Sequence, residues 1–175
     1  MLQDFNLLIS TSRRNEKNAC SEMWYLLGEI GDKASDVRTT GIIGLTVAKT
    51  ILDPKVVVRR LREILRQKPW EIKYVLKVVP IEGLNPARIE DVAKAAAELS
   101  KKIDEGQTFR VTVEKRRSNL SSREIIEAVA KNIDKKVDLE NPNKIVLIEV
   151  VGERVGMSLL EPDDILSVEK ERRTL

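Results

Sequence analysis

The chain has 175 residues, 34% of them charged and 42% hydrophobic, with one cysteine and no histidine. That length suits one ordinary domain or two small ones. The missing histidines exclude His-based triads, His general acid–base catalysis and zinc sites of the common Cys/His kind.

Net charge is +3, but 14 basic residues meet 9 acidic ones over residues 1–80, against 17 and 19 over residues 81–175. A general basic coat is therefore not the argument, and local arrangement decides. Cys20 alone forms no internal disulfide, which fits a reducing compartment. Apolar runs fall well short of the roughly 20 residues of a membrane span. Asp4 stands where a signal peptide carries positive charge. The expectation is a soluble cytoplasmic protein with no metal and no cofactor.

FNLLIS at 5–10 predicts a short buried strand. A helix follows from about Asn15 to Ile30, its apolar positions Ala19, Cys20, Met23, Trp24, Leu27 and Ile30 recurring at three and four, with Gly31 as its stop. Trp24 is placed on the core face by this spacing. Two β-rich stretches, Ser35–Thr40 and Ile42–Thr50, break near Gly41. Asp53 caps a second helix with Pro54 at its first position, running to about Lys68. EIKYVLKVV at 71–79 predicts another strand, which completes a β-α-β-β-α-β order, the ferredoxin-like pattern.

Pro80 closes that unit, so the expected division is 1–80 and 81–175. Asn85 and Pro86 predict the cap and first turn of a helix carrying Ile89, Val92, Ala96, Leu99 and Ile103 on one face. Phe109, Val111 and Val113 alternate with polar residues in a strand. Ser121 and Glu124 fit a capping box that opens a helix to about Ile133. IVLIEVV at 145–151 is nearly all apolar and β-branched and predicts a central strand buried on both faces. With 109–114 it makes a parallel βαβ unit. Gly152–Glu153 turns into a strand over Arg154–Leu160, and a last short strand is expected near Ile165–Val168.

Three basic groupings stand out. Lys115, Arg116 and Arg117 sit at the carboxyl end of a parallel strand, where ligands gather in open α/β sheets and the next helix offers free N–H groups. Arg123 lies in that helix's first turn. Lys55, Arg59, Arg62 and Arg66 fall within about 60° of arc on one helix, a pitch that suits a phosphate backbone. Arg13, Arg14 and Lys17 open the first helix, where cations oppose the dipole. Each grouping also reads as an ordinary solvated face. P-loop and G-x-G-x-x-G motifs are absent. GIIG at 41–44 fits neither an acetyl-coenzyme A loop nor a KH clamp, and Asp163–Asp164 reads as a polar turn. Aromatics at 3% argue against RNA binding by sheet stacking.

FRVTVEKR, SSREIIEAVAKNI and VDLENPNKIVLIEVVG, within residues 105–160, resemble the THUMP domain of tRNA-modifying enzymes. TSRRNEKNA, TTGIIGLTVAKT, DPKVVVRRLRE and VLKVVPIE resemble the ferredoxin-like domain that precedes THUMP. The whole is similar to stand-alone THUMP proteins that assist N4-acetylcytidine formation in tRNA beside a separate acetyltransferase. The resemblance implies an α+β protein, ferredoxin-like then THUMP. It implies a non-catalytic adaptor whose partners are tRNA and an RNA acetyltransferase, since THUMP enzymes carry a further catalytic domain for which this sequence leaves no residues. It matches Lys115, Arg116 and Arg117 to the basic end of the THUMP strand, and Ser122 and Glu124 to its helix start. The alternative left open is a protein-interaction scaffold with little RNA affinity of its own.

Overall fold

The structure is a computed structural model and describes residues 4–175. In chain order the first elements are β1 (Leu7–Ser10), α1 (Glu16–Ile30), β2 (Asp36–Thr39), β3 (Leu45–Lys49), α2 (Pro54–Gln67) and β4 (Lys77–Pro80). There follow β5 (Gly83–Pro86), α3 (Ile89–Ser100), β6 (Thr108–Arg116), α4 (Ser122–Ala130), β7 (Lys136–Val137), β8 (Lys144–Val151) and β9 (Arg154–Leu160). The chain closes with β10 (Leu166–Ser167) and α5 (Val168–Arg173). It divides into two units, residues up to Ile81 together with Asp164–Leu175, and Glu82–Asp163.

In the first unit the strand order is β10-β4-β1-β3-β2, antiparallel throughout. The segment from β1 to β4 has the ferredoxin-like order. Leu7, Ile9, Ala48 and Val78 face one side of the sheet and meet Met23, Leu26 and Leu27 of α1 and Val57, Val58, Leu61 and Leu65 of α2. Asp53 caps α2 by accepting from Lys55 N at 2.9 Å, with Pro54 in the first turn where its missing N–H costs nothing.

Three expectations are corrected here. Trp24 is 55% exposed, because α1 buries Ala19, Met23, Leu26 and Leu27, and Trp24 lies about 100° round the helix from Met23. The strand expected over 71–79 is present only from Lys77, and Pro69–Glu71 is a 3-10 turn. The Glu22 carboxylate takes the N–H groups of Lys73, Tyr74 and Val75 at 2.7, 2.9 and 2.7 Å, so a side chain satisfies the backbone there instead of a sheet. Finally, the segment after Asp163 was expected with the second domain but belongs to the first unit. Leu166 pairs with Val78 and Ser167 with Lys77, while Leu166 and Val168 are buried in the first core.

The second unit orders its strands β5-β9-β8-β6-β7. β6 runs parallel to β8 and β7, and β9 is antiparallel to β8 and β5. Val92 and Ala96 of α3 and Ile125 and Val129 of α4 pack with Phe109, Val146, Ile148, Val150 and Met157. Every residue from Ile145 to Val151 is buried, as an apolar central strand requires. Asn85 and Pro86 do not open a helix. They lie in β5, an edge strand, where a proline without an N–H is tolerated, and α3 begins at Ile89. Pairing of Asn85 with Val155 and Pro86 with Arg154 outweighs the local helix-start signal.

Among the described residues no helix is long and apolar enough to cross a membrane. No group of three His, Cys, Asp or Glu among them is placed to hold a metal ion.

Candidate nucleic-acid interface

The three cations that close β6 take three different roles. Arg116 Nη1 lies 2.9 Å from Glu149 Oε2 on the neighbouring strand β8, and Glu149 is 1% exposed. A buried carboxylate must be paired, so Arg116 serves the fold. Lys115 Nζ donates to Leu120 O at 2.7 Å, drawing the β6–α4 loop onto the strand end. Arg117 adopts φ 54, a left-handed conformation uncommon for a residue with a Cβ. It lines an open cleft of about 610 Å³ with Arg88, Ser118, Asn119, Gly152 and Glu153. Ser121 caps α4 by accepting from Glu124 N at 3.3 Å, and Arg123 is exposed and paired to Glu127 at 3.0 Å.

The helical ladder is mostly engaged as well. Arg62 Nε lies 2.8 Å from Glu171 of α5, and its Nη2 donates to Ile165 O at 3.2 Å. Arg66 reaches the other Glu171 oxygen at 3.4 Å, and Lys55 approaches Asp164 at 4.0 Å. Arg59 is exposed and forms no ion pair among the described residues. The face that reads as a phosphate ladder is the seat of the C-terminal segment.

The third grouping lies in the open. Arg13 and Arg14 are exposed in the β1–α1 loop, Arg14 at φ 72, and Lys17 is exposed in the first turn of α1. The topology brings two further cations to the same end of the sheet. Ser10 at the end of β1 pairs with Lys77 at the start of β4, and Thr11 Oγ1 donates to Tyr74 O at 2.8 Å. Lys73 holds its ammonium 5.3 Å from the Tyr74 ring centroid, within range of a cation–π contact.

The carboxylates nearby are already occupied. Glu16 Oε1 accepts from Gly44 N at 2.8 Å, and that backbone hydrogen bond holds its carboxyl below the ordinary glutamate value. Glu22 is taken up by its three N–H donors. Among the described residues Arg13, Arg14, Lys17, Lys73 and Lys77 join no ion pair. The β2–β3 turn supports this end. Gly44 has φ 74, donates to Glu16, and accepts from Thr11 N at 3.0 Å. A Cβ built there would stand 2.9 Å from Thr11 O.

Lys73, Tyr74 and Lys77 were not singled out from sequence, which treated 71–79 as one strand with no site. The βαββαβ order itself carried the signal, because it sets the end of the first strand beside the start of the fourth.

Residues 86–160 match the THUMP domain family. The second unit carries a THUMP domain. Among curated relatives, the chain is 28% identical over 134 residues to the tRNA acetyltransferase TAN1 of Saccharomyces cerevisiae, covering 68% of this chain and 43% of that one. It is 29% identical over 106 residues to THUMP domain-containing protein 1 of Bos taurus, covering 55% of this chain and 30% of that one. It thus spans less than half the length of either relative. Among solved structures, PH1313 from Pyrococcus horikoshii superposes with TM-score 0.66 at 18% identity, over 90% of this chain and 55% of that one. A 4-thiouridine synthetase in complex with RNA and ATP gives 0.52 at 18%, over 90% and 42%. At such identity these structures establish a shared fold.

Proposed function

We propose that this protein is a non-catalytic, cytoplasmic tRNA-binding adaptor that presents tRNA to a separate acetyltransferase for N4-acetylcytidine formation. The observation that carries the reading is the THUMP match over residues 86–160 in a chain whose yeast relative is named a tRNA acetyltransferase. Arg13, Arg14, Lys17, Lys73 and Lys77, gathered at one end of the first sheet and without an ion pair among the described residues, support it physically. Phosphate neutralisation supplies most non-specific affinity for nucleic acid, and cations without carboxylate partners lose little on engaging it. Arg117 and Lys115 add a second contact region. Arg116, Arg62 and Arg66 are left out of the binding set because carboxylates hold them.

Reconstitution tests the reading. Chain, tRNA, acetyl donor and separately purified acetyltransferase should together yield acetylcytidine, with yield falling when the chain is omitted. Product from chain, donor and tRNA alone would contradict the adaptor role. An acetyltransferase complex that forms while the chain fails to bind tRNA would favour the scaffold reading.

A further inference from the structure

We propose that the β2 edge of the first unit, together with the adjoining flank of α1, is a self-association surface that takes a second copy of this chain in a two-fold symmetric pair. The order β10-β4-β1-β3-β2 leaves β2 with one unpaired side. Alternate residues of Asp36–Thr39 therefore direct N–H and C=O groups away from β3, as an edge strand does.

The charges on this strand are self-complementary. Asp36 and Arg38 are exposed and bound to one another, Nη2 to Oδ2 at 2.6 Å. An antiparallel pair of β2 strands with its axis on Val37 sets Asp36 opposite the second copy's residue 38, and Arg38 opposite its residue 36. Opposite charges directly across a strand pair are favourable, and here symmetry supplies the contact twice. Val37 packs toward the helical side of the sheet, so the two charged residues project from the other side. The four charges would alternate in sign.

The helical layer above this edge carries a second, independent feature. Glu22 and Trp24 stand about 200° apart on α1. Glu22 reaches the segment that leads into β4, so Trp24 looks toward the opposite edge, that of β2. Trp24 is 55% exposed, and one turn on lies Gly28, whose absent Cβ would meet nothing within 4 Å. A glycine inside a helix is unfavourable relative to alanine, and no neighbour among the described residues requires one. An exposed tryptophan beside an open notch on an antiparallel two-fold suits knob-and-hole packing of α1 against its copy. α1 lies against β2, which keeps the two helices near the axis.

Sedimentation velocity across a concentration series, without RNA, tests this. The chain is expected to dimerise reversibly. Arg38→Asp places like charges opposite each other twice and should weaken the dimer by roughly tenfold or more. Adding Asp36→Arg to it restores both cross-strand and in-strand pairs and should return the affinity. Trp24→Ala should also weaken it. Thermal unfolding of each variant checks that the exposed changes leave the fold intact. A chain that stays monomeric at every concentration would overturn the proposal, as would a dimer indifferent to Arg38→Asp. A different protein binding this face of a monomeric chain would overturn it equally.

Discussion

Arg116 and its neighbour Arg117 stand side by side in sequence and do different work. Arg116 donates to a carboxylate that is 1% exposed, so Arg116→Ala should cost about 1.5–3 kcal/mol by removing that charged hydrogen bond. Arg117→Ala changes an exposed side chain and should cost less than Arg116→Ala. Chemical denaturation of the two single variants checks the contrast, and equal midpoints would contradict it. Asp32 is a second residue whose role is internal. Burial alone would raise its pKa, but hydrogen bonds from Thr50 Oγ1 at 2.6 Å, Ile51 N at 3.1 Å and Ala34 N at 3.0 Å outweigh burial and lower it. A carboxyl depressed in the folded state stabilises above its unfolded value, about pH 4, and that contribution is lost as pH falls through the folded value. Asp32→Asn should lower the melting temperature at neutral pH and shallow its decline as pH falls below about 4. An unchanged acid limb would sink this assignment.

Among the elements, the C-terminal strand and helix show where sequence reading reaches and where it stops. The amphipathic α2, its Asp53 cap and the basic face over 55–66 were all legible, because each depends on residues within a few turns of one another. What occupies that face was not legible, because Glu171 lies 109 residues from Arg62. The same holds for Asn85 and Pro86. Their helix-start signal was real but lost to pairing with Val155 and Arg154, partners distant in sequence. The THUMP strand, helix and central strand over 108–151 followed closely from periodicity, since β8 is apolar from Ile145 to Val151 except at Glu149 and α4 has a clear cap. Leu166 and Val168 join the first core, so Leu166→Ala should destabilise by about 2–4 kcal/mol, despite lying beyond the second unit in sequence. Amide exchange should then accelerate in β1 and β4 more than in β8. Uniform acceleration, or none, would speak against the assignment of β10 to the first sheet.

At the level of the whole molecule, a chain with near-balanced charge can still hold polyanions if its carboxylates are occupied internally where its cations are not. Glu16 and Glu22 are spent on backbone N–H groups beside Arg13, Arg14, Lys17, Lys73 and Lys77. Gly44 maintains that arrangement. Gly44→Ala combines a positive φ with a 2.9 Å approach to Thr11 O and should both destabilise the first unit by roughly 1–3 kcal/mol and weaken tRNA binding. The most direct test of the account is the salt dependence of tRNA binding, read by fluorescence anisotropy, for the natural chain and for a variant with Arg13, Arg14 and Lys17 all changed to alanine. About five phosphate contacts predict a slope of log K against log salt of roughly −3.5 to −4.5, shallower by roughly 2 to 3 in the variant. A flat titration, or a slope that the triple variant leaves unchanged, would contradict it.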